Sequence, residues 1–342
     1  MLIQSGVSSP SSKKRILVTG GAGYIGSTTA LLLIDSGYDV VVVDDLSRGH
    51  RDNVDPRRLR VLNTLDTDAV TELLRAEPSD AVIHFAAYIA VGESMKVPEE
   101  YFHNNVAGSL SLFTAMLRAG VKALVFSSTA AVYGMPSTIP IPENSPYAPV
   151  NPYGESKVMV EKILGWLDVI HGLRSICLRY FNASGAEKEG RVGERHDPET
   201  HLIPLMFRAI QSGEPITLFG DDYDTPDGTC IRDYIHVSDL AKAHILAVEN
   251  LLNGGPSNRF NVGTGRGYSV REVLEAVEKV TGKKVPYRMG PRREGDPPVL
   301  VADSTRLQQS LGWTPEQSAL NTIVETAWRF ANSEAHAGRT TS

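Results

Sequence analysis

Residues 15–44 constrain this chain more than any other stretch. A β-branched run, RILVT, enters a loop with glycines at Gly20, Gly23 and Gly26, and a second run, DVVVV, follows one helix later and leads into Asp44. Glycines at that spacing let a backbone turn tightly and come close to a bound group. A helix opening directly after the loop turns free N–H groups and a partial positive charge toward an anion. Strand, glycine loop, helix and strand make the first unit of a parallel sheet that binds a dinucleotide, and an acid after the second strand suits a ribose diol. Asp44 stands 18 residues past Gly26, with Asp45 as its competitor. A carboxylate there repels a 2′-phosphate, which favours NAD over NADP, although Arg48 and Arg51 lie nearby.

The alternation continues. Further strands are expected at 59–62, 81–86, 123–127 and 175–179, and helices at 24–36, 67–76, 98–119 and 153–171. Near-continuous apolar strands imply a sheet covered on both faces. The expected fold class is therefore α/β: a Rossmann-type doubly wound parallel sheet with a second, smaller α/β substrate domain. The domains expected are 14–182 for NAD, with a returning segment at about 233–265, and 183–232 plus 266–332 for the substrate. Helices at 236–252 and 270–281 and a strand at 259–262 are expected in this second half. Ser-rich or aperiodic stretches at 1–13 and 333–342 read as loose tails.

Composition narrows the partners. A net charge of −6 leaves no basic footprint for nucleic acid. No apolar run spans a bilayer, and the N-terminus lacks the apolar core of a secretory signal. Cys177 and Cys230 form no CxxC pair, so a reducing, cytoplasmic setting is expected.

Tyr153-Gly-Glu-Ser-Lys157 places a phenol and an amine on one helix face. The stretch Phe126-Ser127-Ser128-Thr129 ends a strand, so its hydroxyls lie where a parallel sheet holds its ligands. A free phenol is a poor base at neutral pH, but a neighbouring ammonium and a cationic nicotinamide both favour phenolate. Tyr153 can then exchange a proton with a substrate hydroxyl while hydride moves, with Thr129 or Ser128 holding the same oxygen. Other polar residues read as ordinary structure. Asp221, Asp222, Asp224 and Asp227 lack the spacing of a calcium loop, no metal site is expected, and His84 reads as a core residue.

The motifs GGAGYIG, VFSSTAAVYG and YGESK resemble the extended short-chain dehydrogenases/reductases. HFAAYIAVGES, LRYFNASGA, FGDDYDTPDGTCIRDYIHV, FNVGTGRGYSV and REGDPP extend the likeness to about residues 14–330, where it is similar to the UDP-galactose (UDP-glucose) 4-epimerases. The resemblance implies an isomerase of nucleotide-sugar and galactose metabolism with tightly held NAD. It implies that Gly20, Gly23, Tyr24, Ile25 and Gly26 hold the pyrophosphate and Asp44 the ribose. Phe85, Ala86, Ala87, Asn104, Tyr180 and Phe181 would flank the cofactor, with Tyr153 as acid/base and Lys157 as its electrostatic partner. Asn182, His201, Leu202, Phe219, Arg232, Arg293, Asp296 and Leu300 would bind the UDP-sugar.

Some positions depart from the family pattern. His201 stands where relatives commonly carry Asn, and Ile89 where some carry Lys. Leu62-Asn63-Thr64-Leu65 lacks an acid that many relatives place near the adenine. Leu300 replaces a bulky Tyr, which implies room for an N-acetyl group. Thr129 is followed by Ala130-Ala131 rather than the acid pair of a sugar dehydratase. Pairing of the helices at 98–118 and 153–171 into a homodimer is also implied.

Overall fold

A computed structural model describes residues 13–293 and 295–333. Apart from Lys13 and Ser333, the two expected tails lie outside the described residues. The strands are β1 (Arg15–Thr19), β2 (Asp39–Asp44), β3 (Leu59–Val61), β4 (Ala81–His84), β5 (Ala123–Thr129), β6 (Arg174–Tyr180), β7 (Asn182–Ser184), β8 (Ile216–Phe219), β9 (Ile231–His236), β10 (Asn258–Val262), β11 (Gly267–Ser269), β12 (Tyr287–Gly290) and β13 (Val299–Leu300). The helices are α1 (Tyr24–Asp35), α2 (Thr67–Ala76), α3 (Val91–Ser94), α4 (Pro98–Tyr101), α5 (Gly108–Ala119), α6 (Pro152–His171), α7 (Leu202–Ser212), α8 (Val237–Leu252), α9 (Val270–Thr281), α10 (Thr305–Leu311) and α11 (Leu320–Ala331).

Seven strands form one parallel sheet in the order β10-β6-β5-β4-β1-β2-β3. This is the expected Rossmann-type doubly wound sheet. Alternate residues of each strand face opposite layers. Ile16, Val18, Val40 and Val42 pack with Leu33 of α1 and Leu240 and Val248 of α8. Leu17, Val43, Val82 and Leu124 face the other way, toward α2, α5 and α6 through Leu74, Phe113, Met116 and Leu164. The strand order reverses between β1 and β4, and a crevice outside the carboxyl ends follows from that reversal.

A smaller α/β assembly has its own core, where Ile203 and Phe207 of α7, Val273 and Val277 of α9 and Ile323 and Val324 of α11 pack on Leu218 and Tyr234. Here β9 is flanked by β11 and β13 and also pairs β7, while β12 pairs β8.

Local chemistry adjusts several expected boundaries. β4 stops at His84, two residues early, because the next backbone turns off to close over Gly20. β5 runs on to Thr129. The helix expected over 98–119 contains a π-helical segment, Phe102–Ala107, between α4 and α5. His84 is fully buried, with Thr19 Oγ1 at 2.6 Å from Nδ1 and Ser109 Oγ at 2.9 Å from Nε2. Among the described residues, no helix is long and apolar enough to cross a membrane.

Candidate active site

The glycine loop closes on itself at the β1–β4 reversal. Gly20 has φ +67°, and a Cβ there would lie 2.5 Å from the Ala86 nitrogen. A Cβ on Gly26 would lie 2.2 Å from the Gly20 carbonyl oxygen. Either methyl would fill the cradle that brings the loop against the start of α1. Gly23 caps α1 without a side-chain hydrogen bond, which leaves first-turn amides for an anion. The Tyr24 hydroxyl donates to the Gly185 carbonyl at 2.5 Å, and Ile25 packs into the sheet core. Both residues therefore offer the loop their backbone rather than their side chains. This donor set and shape fit a dinucleotide pyrophosphate.

Asp44 is buried, and its two oxygens accept from Ala22 N–H and Leu46 N–H, each at 2.9 Å. Burial raises its pKa, and those two amide bonds work against the rise. The carboxylate is thus fixed beside the loop. Its competitor Asp45 is occupied at the surface by Ser47 and by Asn63 Nδ2, the latter at 2.8 Å. Arg48 is paired with Glu93 at 2.8 Å and stacked on Tyr88.

Helix α6 carries the phenol and the amine. Asn151 caps it, its Oδ1 accepting from Gly154 N–H at 2.8 Å, and Pro152 opens it, so Tyr153 falls in the first turn. Burial raises the Tyr153 pKa, and a hydrogen bond from Thr129 opposes that. Thr129 Oγ1 accepts from Ala131 N–H at 3.1 Å, which leaves its proton for the phenol oxygen. Lys157 Nζ donates to the Ser127 carbonyl at 2.9 Å and lies 5.9 Å from the Tyr153 ring centre. Burial lowers the Lys157 pKa to about 7, partly countered by Glu161.

Of the two hydroxyls left open by the sequence, Thr129 reaches Tyr153 and Ser128 does not. Ser128 is a correction: its Oγ donates to Glu161 Oε1 at 2.5 Å, because successive residues of β5 face opposite ways.

The other cofactor candidates gather nearby. Phe85, Ala86 and Ala87 follow β4, and the Phe85 ring lies 4.7 Å from that of His244. Asn104 Nδ2 donates to Asn105 Oδ1 at 3.0 Å. The Tyr180 hydroxyl pairs with Ser127 Oγ, and Phe181 and Leu300 both pack against the cluster of Ala130, Val132, Tyr133, Ile141 and Val158.

The substrate candidates converge on β9 and its neighbours. Register sets Leu300 opposite Arg232 and Asn182 opposite Tyr234. Arg232 pairs with Asp296, and Arg293 stacks on Phe219 at 4.2 Å. Arg293 and Asp296, with Arg292, Tyr223 and Met135, line an open cleft of about 740 Å³. His201 precedes α7 as its N-cap and Leu202 opens it, and the His201 Nδ1 lies 2.8 Å from Glu194 Oε1, so that edge of the ring faces the carboxylate.

Two positioning residues were not anticipated. Asn105 Nδ2 bonds both the Tyr88 carbonyl and Ser156 Oγ, at 3.0 and 3.1 Å, tying the loop after β4 to α6. Glu161 is buried at the centre of Ser128, Tyr147, Arg179 and Arg259. The i, i+4, i+8 series Tyr153-Lys157-Glu161 was the available signal for Glu161.

A family model described as "NAD dependent epimerase/dehydratase family" matches residues 16–263. A protein named UDP-glucose 4-epimerase from Lactobacillus helveticus is 51% identical over 321 residues, 93% of this chain and 97% of that protein. The crystal structure of UDP-glucose 4-epimerase from Brucella ovis in complex with NAD superposes with a TM-score of 0.90 at 47% identity, covering 93% of this chain and 98% of that one. The Bifidobacterium longum UDP-glucose 4-epimerase in complex with NAD⁺ and UDP gives 0.88 at 36% identity, covering 94% and 99%. With the glycine cradle, the fixed acid and the paired phenol and amine all inside the matched span, this chain belongs to the NAD dependent epimerase/dehydratase family.

Proposed function

We propose that this chain is an NAD-dependent UDP-glucose 4-epimerase, an isomerase interconverting UDP-galactose and UDP-glucose through a transient 4-keto sugar. The observation that carries the reading is the Thr129–Tyr153–Lys157 constellation beside a glycine cradle, in a chain about half identical to proteins of that name. NAD⁺, when bound, supplies a reversible hydride acceptor for the sugar's C4 and a positive charge near Tyr153. The glycine loop and the α1 amides hold its pyrophosphate and Asp44 its ribose. Phe85, Ala86, Ala87, Asn104, Tyr180 and Phe181 flank it.

Tyr153 takes the proton from the 4-hydroxyl and later returns it to the same oxygen, once the keto sugar has turned its opposite face to the cofactor. Thr129 orients the phenol. The Lys157 ammonium, held by the Ser127 carbonyl, favours the phenolate. Inversion requires a sugar free to turn while its nucleotide stays anchored. Arg232 and Arg293 offer planar guanidinium donors to the diphosphate, with Asp296 setting Arg232. Asn182, Leu202, Phe219 and the outer edge of His201 complete the anchor, and Leu300 borders the sugar. Residues 14–182 with about 233–265 form the cofactor domain, and 183–232 with 266–332 the UDP-sugar domain.

A second copy of the chain covers the apolar stripe on α5 and α6. Two buried free thiols, Cys177 and Cys230, suit a cytoplasmic setting. The test is incubation with UDP-galactose without added cofactor, followed by product analysis. UDP-glucose is the expected product. A 4-keto-6-deoxy product would replace the reading with a dehydratase, and retained NAD without turnover would replace it with a sensor. UDP-N-acetylgalactosamine in parallel tests the room beside Leu300, and its complete refusal removes that residue from a specificity role.

A further inference from the structure

Outside the catalytic constellation, the loop before α7 gathers Glu194, His196, Glu199 and His201, whose ligand atoms all lie within 4.8 Å of one another. The approaches are short: His201 Nδ1 to Glu194 Oε1 2.8 Å, His196 Nδ1 to Glu194 Oε1 3.2 Å, His201 Nδ1 to Glu199 Oε1 3.2 Å, and His196 Nδ1 to Glu199 Oε2 3.8 Å. A tetrahedral zinc with bonds near 2.05 Å separates its ligand atoms by about 3.3 Å. The three contacts made by Glu194 Oε1 and Glu199 Oε2, at 2.8, 3.2 and 3.8 Å, bracket that spacing.

Hydrogen bonding accounts for only part of the cluster: His201 Nδ1 bonds Glu199 Oε1, but two other buried atoms have no such partner. The Glu194 side chain is 8% exposed, and its Oε1 has no hydrogen-bond partner. His196 Nδ1 is likewise shielded from solvent and unpartnered, although it lies 3.2 Å from that oxygen. The two atoms approach each other without forming an N–H···O bond. Glu199 Oε1 is fixed by Thr200 N–H and His201 N–H at 2.7 and 2.8 Å, an outer-shell support that leaves Oε2 toward His196.

We propose that Glu194, His196, Glu199 and His201 form a closed, four-ligand structural site for a divalent cation of the zinc class. Two imidazoles and two carboxylates match that ion's preference for nitrogen and oxygen donors, and four protein ligands leave no open position for catalysis. Charge also balances, since two carboxylates neutralise the dication. The site clamps the nucleotide loop from two sides. The His196 ring meets Tyr24 edge-on at 6.3 Å between centres, and Tyr24 is tied to Gly185. Arg195, between the ligands, reaches Asp52 at 2.7 Å, and its carbonyl lies 2.9 Å from His50 Nε2 in the loop after Asp44. The metal-free alternative keeps the same four side chains as an ion-pair cluster. Burial lowers both imidazoles, but the two carboxylates outweigh it and lift His196 to about 9 and His201 to about 10.

The test loads the full, NAD-containing protein with Zn²⁺, dialyses away the excess and measures metal by mass spectrometry. About one zinc per chain should remain, falling below about 0.1 in Glu199→Gln and His196→Gln. Chelation should lower Tm, and Zn²⁺ should restore it. Should either variant fail to fold, Co²⁺ added to the chelated wild type decides alone, because four-coordinate cobalt gives intense visible absorption. Wild type that holds no zinc, variants that hold as much as wild type, or cobalt lacking that spectrum would each overturn the proposal. None of these readouts depends on turnover.

Discussion

Tyr153 is a phenol that its surroundings make harder to ionise, since burial raises its pKa and the Thr129 hydrogen bond opposes the rise. Lys157 lies near enough to help, yet its own pKa is depressed to about 7 by burial. From its spacing alone, the amine is expected to lower the phenol. In the chain alone, desolvation of both groups dominates, so the phenolate depends on a further positive charge arriving with the cofactor. Removing only the phenol oxygen isolates this role. Tyr153→Phe should fold and retain NAD, while turnover of UDP-galactose falls about 10²- to 10⁴-fold. Near-native turnover in a steady-state assay would remove Tyr153 from its place.

At the scale of elements, α6 works as a ruler. The Asn151 cap and Pro152 fix where it starts, and its turns set Tyr153, Lys157 and Glu161 on one face. Glu161 meets Arg179 of β6 at 2.7 Å with both side chains almost wholly buried. Breaking such a pair from one side strands a charge. Glu161→Gln should therefore lower unfolding stability by about 3–5 kcal/mol, as read by chemical denaturation. A loss below about 1 kcal/mol would show that Tyr133, Tyr147 and the Glu143 carbonyl suffice for the arginine.

This element also marks what the sequence could show. The glycine loop, Asp44 and the Tyr153–Lys157 pair were readable because each is local, with spacing fixed by one loop or one helix. The turn of the chain after His84, the choice of Thr129 over Ser128, and the Glu161–Arg179 pair were not. They arise where β1 meets β4 or where β5, β6 and α6 stack, contacts that no short window contains. His201 is legible in the sequence only by likeness to a family position, whereas its gathering with Glu194, His196 and Glu199 depends on how the loop folds.

For the whole molecule, α5 and α6 leave an apolar stripe uncovered. Val169 is 80% exposed and Trp166 68%, with Ile170, Met159 and Leu110 alongside. Such a surface favours a partner copy. Sedimentation should find a dimer for the wild type and a monomer for Trp166→Glu combined with Val169→Glu; a wild-type monomer would contradict it. The molecule also keeps three histidines neutral. Burial, with Lys157 adding to it at His84, lowers His84 to about 3, and burial lowers His236 and His244 to about 4. Unfolded, each titrates near 6.5, so the unfolded chain binds more protons below that value. The contribution of these three groups to stability is complete above about pH 6.5 and declines toward pH 4 by about 1.4 kcal/mol per pH unit for each group. Calorimetry should show Tm falling over that range, with a shallower slope in His84→Gln. Equal slopes would mean that His84 is not held neutral.

The last strand of the main sheet, β10, pairs with β6 from almost eighty residues further along the chain. A nascent polypeptide leaving the ribosome therefore presents β6 as a raw edge until Asn258–Val262 has emerged. During that interval any extended segment can take the place kept for Asn258–Val262, so the danger to this protein lies in its synthesis more than in its finished state.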